Sequence, residues 1–152
     1  MLKLRPYAQD DWPVLVQYQY PSMSESEVKA LISEFNSGIC QSTRTQMLAV
    51  ETDNIIVGFV SLYEQGDGIA SEGVEIYPPY RRRGYAYAAL RQLLEQSQSY
   101  HTITAQIRKD NAASLALHRK LGFQITDAFV NKRGHPVYSL SISLPCRTAS
   151  SQ

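Results

Sequence analysis

Between residues 68 and 130 the chain changes twice from a strand pattern to a helix pattern and back. The two strand–helix–strand units are 68–77, 84–97, 101–107 and then 101–107, 111–121, 123–130. A helical crossover lets consecutive strands lie parallel, whereas a tight turn cannot. Ahead of these units, QMLAVETDNIIVGFVSLYEQGDG reads as two β-rich runs joined at Asp53-Asn54, which is a hairpin and therefore antiparallel. The two demands together predict an α/β fold with a sheet of mixed direction.

The remaining elements follow from local signals. Leu2 to Tyr7 alternates as a short strand. Asp10 and Asp11 stand before Trp12 and Pro13, a carboxylate cap followed by proline, so a helix is predicted from there to about Tyr20. Ser24 and Glu27 have capping-box spacing and open a helix to about Asn36, with Gly38 closing it. GVEIY follows the Gly66-Asp67-Gly68 turn, and FQITDAFV and HPVYSLSISL are the last two strands. The domain is expected to span 1–145, with 146–152 a disordered tail.

Composition excludes some functions. The 152 residues carry a formal net charge of +1, so nothing global favours nucleic acid or an anionic membrane. No uninterrupted apolar run of about 18 residues exists, and the first residues lack the apolar core of a signal peptide. Cys40 and Cys146 share no motif, which fits free thiols in a reduced, cytoplasmic setting and no metal site.

Three consecutive arginines then need a local explanation. In VEIYPPYRRRGYAYAAL, Pro78 and Pro79 end a strand, and Ala86, Leu90, Leu93 and Leu94 form a helical apolar stripe. Arg81 to Ala86 is therefore a strand-to-helix turn. The first amides of a helix lack internal partners, and small residues let an anion approach them. Arginine side chains add charge-assisted bonds. A diphosphate suits this turn; a solvated basic turn is the alternative, and RNA binding is disfavoured without an aromatic stacking platform.

Two motifs carry a resemblance. Arg81, Gly84 and Ala86 match the [QR]-x-x-G-x-[GA] signature of the GNAT superfamily of N-acetyltransferases, after Ile76-Tyr77-Pro78 in place of V-x-P. Asn111 to Phe123 resembles that family's N-x-x-[SA]-x-x-L-Y-x-K-x-G-F. The resemblance covers about Leu2 to Leu144. It implies a mixed, mostly antiparallel sheet of about seven strands, splayed at an acetyl-CoA site, with about four helices.

The resemblance also implies roles. Backbone groups of Val74, Glu75 and Ile76 would pair with the pantetheine arm at a bulge. The loop Arg81, Arg82, Arg83, Gly84, Tyr85, Ala86 and Tyr87 would hold the diphosphate, the amides from Arg82 onward contacting it directly. Asn111 would hydrogen-bond the cofactor, or cap the following helix, or both. The expected reaction is direct transfer of the acetyl group to a primary amine, with the Ile76 amide as oxyanion donor. His118 stands where the family has a tyrosine acid, Gln106 where one branch has a glutamate base, and Glu75 and Glu72 are the carboxylates within reach. The acceptor is expected to be a small-molecule amine or a protein N-terminus, with a homodimer left open. A non-catalytic acyl-CoA-binding sensor on the same fold is the alternative. Lys132, Arg133 and Arg44 read as solvated charges, and the aromatics Tyr7, Trp12, Tyr18 and Tyr20 as core packing or an acceptor wall.

Overall fold

The structure, a computed structural model, describes residues 1–40 and 43–145. The elements are β1 (Lys3–Arg5), α1 (Trp12–Tyr18), α2 (Glu25–Asn36), β2 (Ile39–Cys40), β3 (Thr43–Thr52), β4 (Ile55–Gly66), β5 (Ile69–Ile76), α3 (Tyr85–Gln96), β6 (Thr102–Arg108), α4 (Ala112–Leu121), β7 (Gln124–Val130) and β8 (Pro136–Ser143). Seven strands lie in the order β1-β3-β4-β5-β6-β8-β7, and β2 pairs with β3 off that path. Every pairing is antiparallel except β5 with β6, the pair joined by the α3 crossover. The second strand–helix–strand unit does not join neighbours, because β8 lies between β6 and β7. The tail from Cys146 and the side chain of Cys40 lie outside the described residues, as does the side chain of Arg44.

Local chemistry accounts for most boundaries. Asp53 and Asn54 both adopt positive φ, 52° and 64°, the mirror-image turn whose twist suits a two-residue hairpin. The Ser24 hydroxyl accepts from the Glu27 amide at 3.2 Å, and the Glu27 carboxylate accepts from the Ser24 amide at 2.9 Å. The start of α1 differs from expectation. Asp11 occupies the cap position, yet no side-chain bond caps the helix. Its carboxylate instead takes the Ala8 amide at 2.7 Å and two guanidinium bonds from Arg5 at 2.8 and 3.2 Å. Arg5 also reaches Glu51 at 3.0 Å, so a charged strand residue outcompetes the helix end for that carboxylate.

The sheet has two differently covered faces. On one, Ala70, Val74 and Ile76 of β5 and Ile103, Ala105 and Ile107 of β6 pack with α3 and α4. On the other, Tyr7, Met47 and Tyr77 pack with Leu15, Val28 and Ile32 of α1 and α2. Tyr7 is 2% exposed, and Trp12, Tyr18 and Tyr20 pack partly buried against the same cluster, so the N-terminal aromatics serve the core. Side chains alternate across a strand, so β5 presents even-numbered residues to α3 and α4 and odd-numbered ones to the opposite face.

Gly58 lets β4 and β5 come together at the end of that strand. A Cβ at Gly58 would lie 2.0 Å from the Glu75 carbonyl oxygen and 2.9 Å from the Ile76 Cα. Both obstacles are backbone, so a side chain can be accommodated only by moving a strand. Gly58→Ala is expected to destabilise the protein by about 1–3 kcal/mol, as overpacking does. Urea unfolding at unchanged m-value is the check.

Candidate active site

The parallel pair β5–β6 comes apart along its length. Its register runs through Ile69↔Thr102, Ala70↔Ile103 and Ser71↔Thr104, while β5 continues to Ile76 and β6 to Arg108. A wedge therefore opens between residues 72–76 and 105–108. No bulge in β5 makes it. The register with β4 is unbroken from Gly58↔Ile76 to Glu64↔Ala70, and the only shift in that pair lies at Glu64/Gly66, at the far end. The bulge expected at Val74 to Ile76 is thus replaced by simple divergence of two strands that share three pairs.

The ladder settles which backbone groups face the wedge. The Tyr77 amide donates to the Val57 carbonyl at 2.8 Å, which makes Val57/Tyr77 a hydrogen-bonded pair. In an antiparallel ladder such pairs alternate, so Glu75 faces β4 while Val74 and Ile76 turn their amides and carbonyls to the wedge. The Ile76 carbonyl accepts from Arg81 Nε at 2.7 Å, which agrees with that direction. Arg81 is thereby tied to the strand end. Arg82 and Arg83 are exposed.

At the mouth of the wedge the chain turns into α3. Arg82 has φ 66° and Gly84 φ 80°, and an added Cβ at Gly84 would meet nothing within 4 Å. No side chain caps α3, and its first internal bond is Ala88 N–H to Gly84 C=O, so the amides of Tyr85, Ala86 and Tyr87 precede the helical ladder. Open space over a Gly84 backbone, helix-start amides and the side chains of Arg82 and Arg83 together fit a diphosphate. Asn111, at the start of α4, is exposed, and its side-chain oxygen accepts from the Ser114 amide at 3.1 Å as a cap.

The predicted catalytic side chains separate. Glu72 points under α4, where its carboxylate meets His118 Nε2 at 2.7 Å, and both side chains are 2% exposed. His118 Nδ1 lies 2.8 Å from the Ser114 carbonyl, which can only accept, so that nitrogen carries a hydrogen. Phe123 meets the ring edge-on at 4.9 Å. Burial alone would push the imidazole pKa down; the bond and charge of Glu72 and the Ser114 carbonyl outweigh it and hold it above 6.5. Both ring nitrogens are occupied, and neither partner reaches the wedge surface. Glu75 lies on the opposite face with Phe59 and Tyr77, and is exposed. Tyr77 is buried there, stacked on Tyr18 at 4.3 Å, with its hydroxyl donating to the Gln19 side chain. Sequence reasoning did not single out Gly58 or the Glu72–His118 pairing. A glycine inside a β-rich run is a signal for the first. The second needs the three-dimensional register.

Residues 4–123 match the family model of the acetyltransferase (GNAT) family. The chain belongs to the GNAT family. An L-methionine sulfoximine/L-methionine sulfone acetyltransferase of Pseudomonas paraeruginosa is 30% identical over 87 residues, 53% of this chain and 51% of the relative. The match thus spans about half the length of that relative. Among solved structures, spermidine N-acetyltransferase from Vibrio cholerae in complex with CoA and spermine superposes with a TM-score of 0.75 at 20% identity, covering 93% of this chain and 95% of the other. Ribosomal-protein-alanine N-acetyltransferase from Brucella melitensis gives 0.75 at 19% identity, covering 93% and 99%. These structures share the fold of this chain, which among the described residues is a mixed, mostly antiparallel sheet with four α-helices. Among the described residues no helix is long and apolar enough to cross a membrane, and no cluster of His, Cys, Asp and Glu could hold a metal ion.

The buried pair makes a prediction about stability. The folded pKa of His118 is raised, so its contribution is fully present below about pH 6.5 and is lost as pH rises through the folded value. The melting temperature is expected to fall over that interval in the wild type. His118→Ala strands a buried carboxylate and should cost about 3–5 kcal/mol at pH 6. Glu72→Gln should cost less and flatten the pH dependence. Thermal melts from pH 5.5 to 9 read all three.

Proposed function

We propose that this protein transfers the acetyl group of acetyl-CoA to a primary amine. The observation that carries the reading is the wedge between β5 and β6, which opens beside an uncapped helix start with free space over Gly84. The amides of Arg82 to Tyr87, with Arg82 and Arg83, hold the diphosphate. Val74 and Ile76 offer backbone groups to the pantetheine arm as an added strand would, and Asn111 flanks it. Glu75 contributes its side chain rather than its amide, because that amide is turned to β4.

When bound, acetyl-CoA supplies a thioester carbonyl. The Ile76 amide, turned into the wedge and fixed by Arg81 on its carbonyl, donates to the developing oxyanion. Glu75, exposed on the open face one residue away, accepts the proton of the incoming ammonium, directly or through water. Glu72 and His118 take no part in proton transfer, because they are buried on the other face and bonded to each other. A thiol with a pKa near about 8.5 can leave as thiolate without an obligatory acid, which fits that division. The non-catalytic sensor would bind acetyl-CoA without releasing CoA in the presence of any amine.

Isothermal titration with acetyl-CoA tests the binding step. Micromolar affinity is expected for the wild type and none for folded Gly84→Glu, which puts bulk and negative charge where the diphosphate approaches. Unchanged affinity in that variant would sink the cradle. Glu75→Gln should lower kcat by about 10²–10⁴-fold with the acetyl-CoA affinity intact, read as thiol release.

A further inference from the structure

Helix α4 joins the two ends of the wedge. It starts after Asn111, whose amide donates to the Arg108 carbonyl at 3.0 Å, at the wide end where β6 stops. Further along the helix His118 meets Glu72. Glu72 directly follows the last β5–β6 pair, Ser71↔Thr104, and so marks the closed end. At about 1.5 Å per helical residue, Asn111 and His118 lie about 10 Å apart along the axis. A polar contact thus anchors the helix at the narrow end, and the residue that flanks the cofactor stands at the other.

An apolar stripe normally docks a helix on a sheet. In α4 the buried side chain is His118, while Leu115, Leu117 and Leu121 are only partly buried. The deepest contact of the helix is therefore an imidazole on a carboxylate, and its attraction depends on one proton. Nδ1 carries a hydrogen held by the Ser114 carbonyl, so the 2.7 Å contact at Nε2 needs a second hydrogen, on the ring or on Glu72. Without it a lone pair faces a carboxylate. The ring gains nothing by changing tautomer, because Nδ1 is committed. No other charge takes the place of that proton. Leu62 of β4 stands opposite Glu72, Ala70 and Val74 flank it along β5, and Ala105 and Ile107 come from β6. Phe123 lies edge-on to the ring. Lys120 sits over the Tyr87 ring of α3 at 4.5 Å and Lys109 over Tyr138 of β8 at 4.9 Å, while Arg119 is exposed.

The anchor is linked to Asn111 through the first turns of the helix. Ser114, whose carbonyl holds Nδ1, gives its amide to the Asn111 side chain at 3.1 Å. Hydrogen bonds thus join Glu72, His118, Ser114 and Asn111 in series.

We propose that Glu72 and His118 are positioning residues for acetyl transfer, whose shared proton pins α4 along the wedge and so sets Asn111 against the pantetheine arm. This rests on the acetyl-transfer reading of the site. Neither residue touches a reacting atom. Burial lowers the imidazole pKa, Glu72 and the Ser114 carbonyl raise it further, and it ends above 6.5. The pin is complete below about pH 6.5 and fails as pH rises through the folded value.

His118→Ala would mix loss of the pin with loss of the fold, so Glu72→Gln is the test. Its amide can donate to the Nε2 lone pair, which keeps the contact without the proton. Isothermal titration at pH 7 and pH 9.5 uses acetyl-CoA, which has no titrating thiol, and 3′-phospho-ADP, which keeps the diphosphate and lacks the pantetheine arm. Thermal melts at both pH values confirm that each protein is folded. The wild type is expected to bind acetyl-CoA at least about five-fold more weakly at pH 9.5 than at pH 7. Glu72→Gln should hold the pH 7 affinity at pH 9.5. Asn111→Ser retains a capping oxygen and should weaken wild-type binding about 3–10-fold at pH 7 and less than about two-fold at pH 9.5. In the Glu72→Gln background its penalty should be the same at both pH values. The affinity for 3′-phospho-ADP should not differ between wild type and Glu72→Gln at either pH. A wild-type pH profile that Glu72→Gln reproduces, an Asn111→Ser penalty that does not change with pH in the wild type, or an equal effect of Glu72→Gln on 3′-phospho-ADP overturns the inference and leaves the transfer reading standing. Failure of the wild type to bind acetyl-CoA at pH 7 removes the transfer reading and this inference with it.

Discussion

Two parallel strands that part company after three pairs leave backbone amides and carbonyls with no sheet partner. Buried or half-buried backbone groups must find one elsewhere, so such a gap asks for an occupant with its own donors and acceptors. In this fold the gap lies between β5 and β6. The chain fills part of it itself, with Arg81 on the Ile76 carbonyl. The rest of the gap lies along β5, whose end leads into the turn before α3. An elongated ligand with amide groups in its middle and anionic charge at one end satisfies both. Arrangement of the sheet and chemistry of the ligand are therefore one requirement rather than two.

The two faces of β5 divide the labour. Glu72 and Glu75 are three residues apart, and alternation sends them to opposite sides. One carboxylate is sealed with an imidazole beneath a helix; the other stands in solvent beside an aromatic floor. Identical side chains thus acquire different chemistry from parity alone. The Glu72–His118 contact joins β5 to α4, so it also fixes the helix that carries Asn111 at its start. The histidine that stands in place of the family tyrosine braces two elements through this contact.

Much of this was legible in the residues, for reasons that can be named. Hairpin chemistry at Asp53-Asn54, the Ser24–Glu27 box and the glycine at residue 84 act within a few residues, so the sequence displays them. The strand-to-helix turn before α3 was legible for the same reason: its conformation is set within a few residues of Gly84. Asp11 was misjudged because Arg5, six residues earlier, competes for its carboxylate through the strand β1. The place of β8 between β6 and β7 was hidden, since strand order is set by long-range pairing that no local pattern records. The partnership of Glu72 with His118 spans 46 residues and depends on register, so His118 looked like a free acid until the helix was laid on the sheet.

That parity has a consequence for how the chain can change length. An insertion or deletion of one residue in β5 between Glu72 and Glu75 would bring both carboxylates to one face, and would reverse the direction of the backbone groups on one side of the change. A change of two residues would keep every side chain on its own face. The strand is therefore open to drift in steps of two and closed to steps of one. Descendants of this sequence should vary freely in their loops while this short stretch keeps an even count.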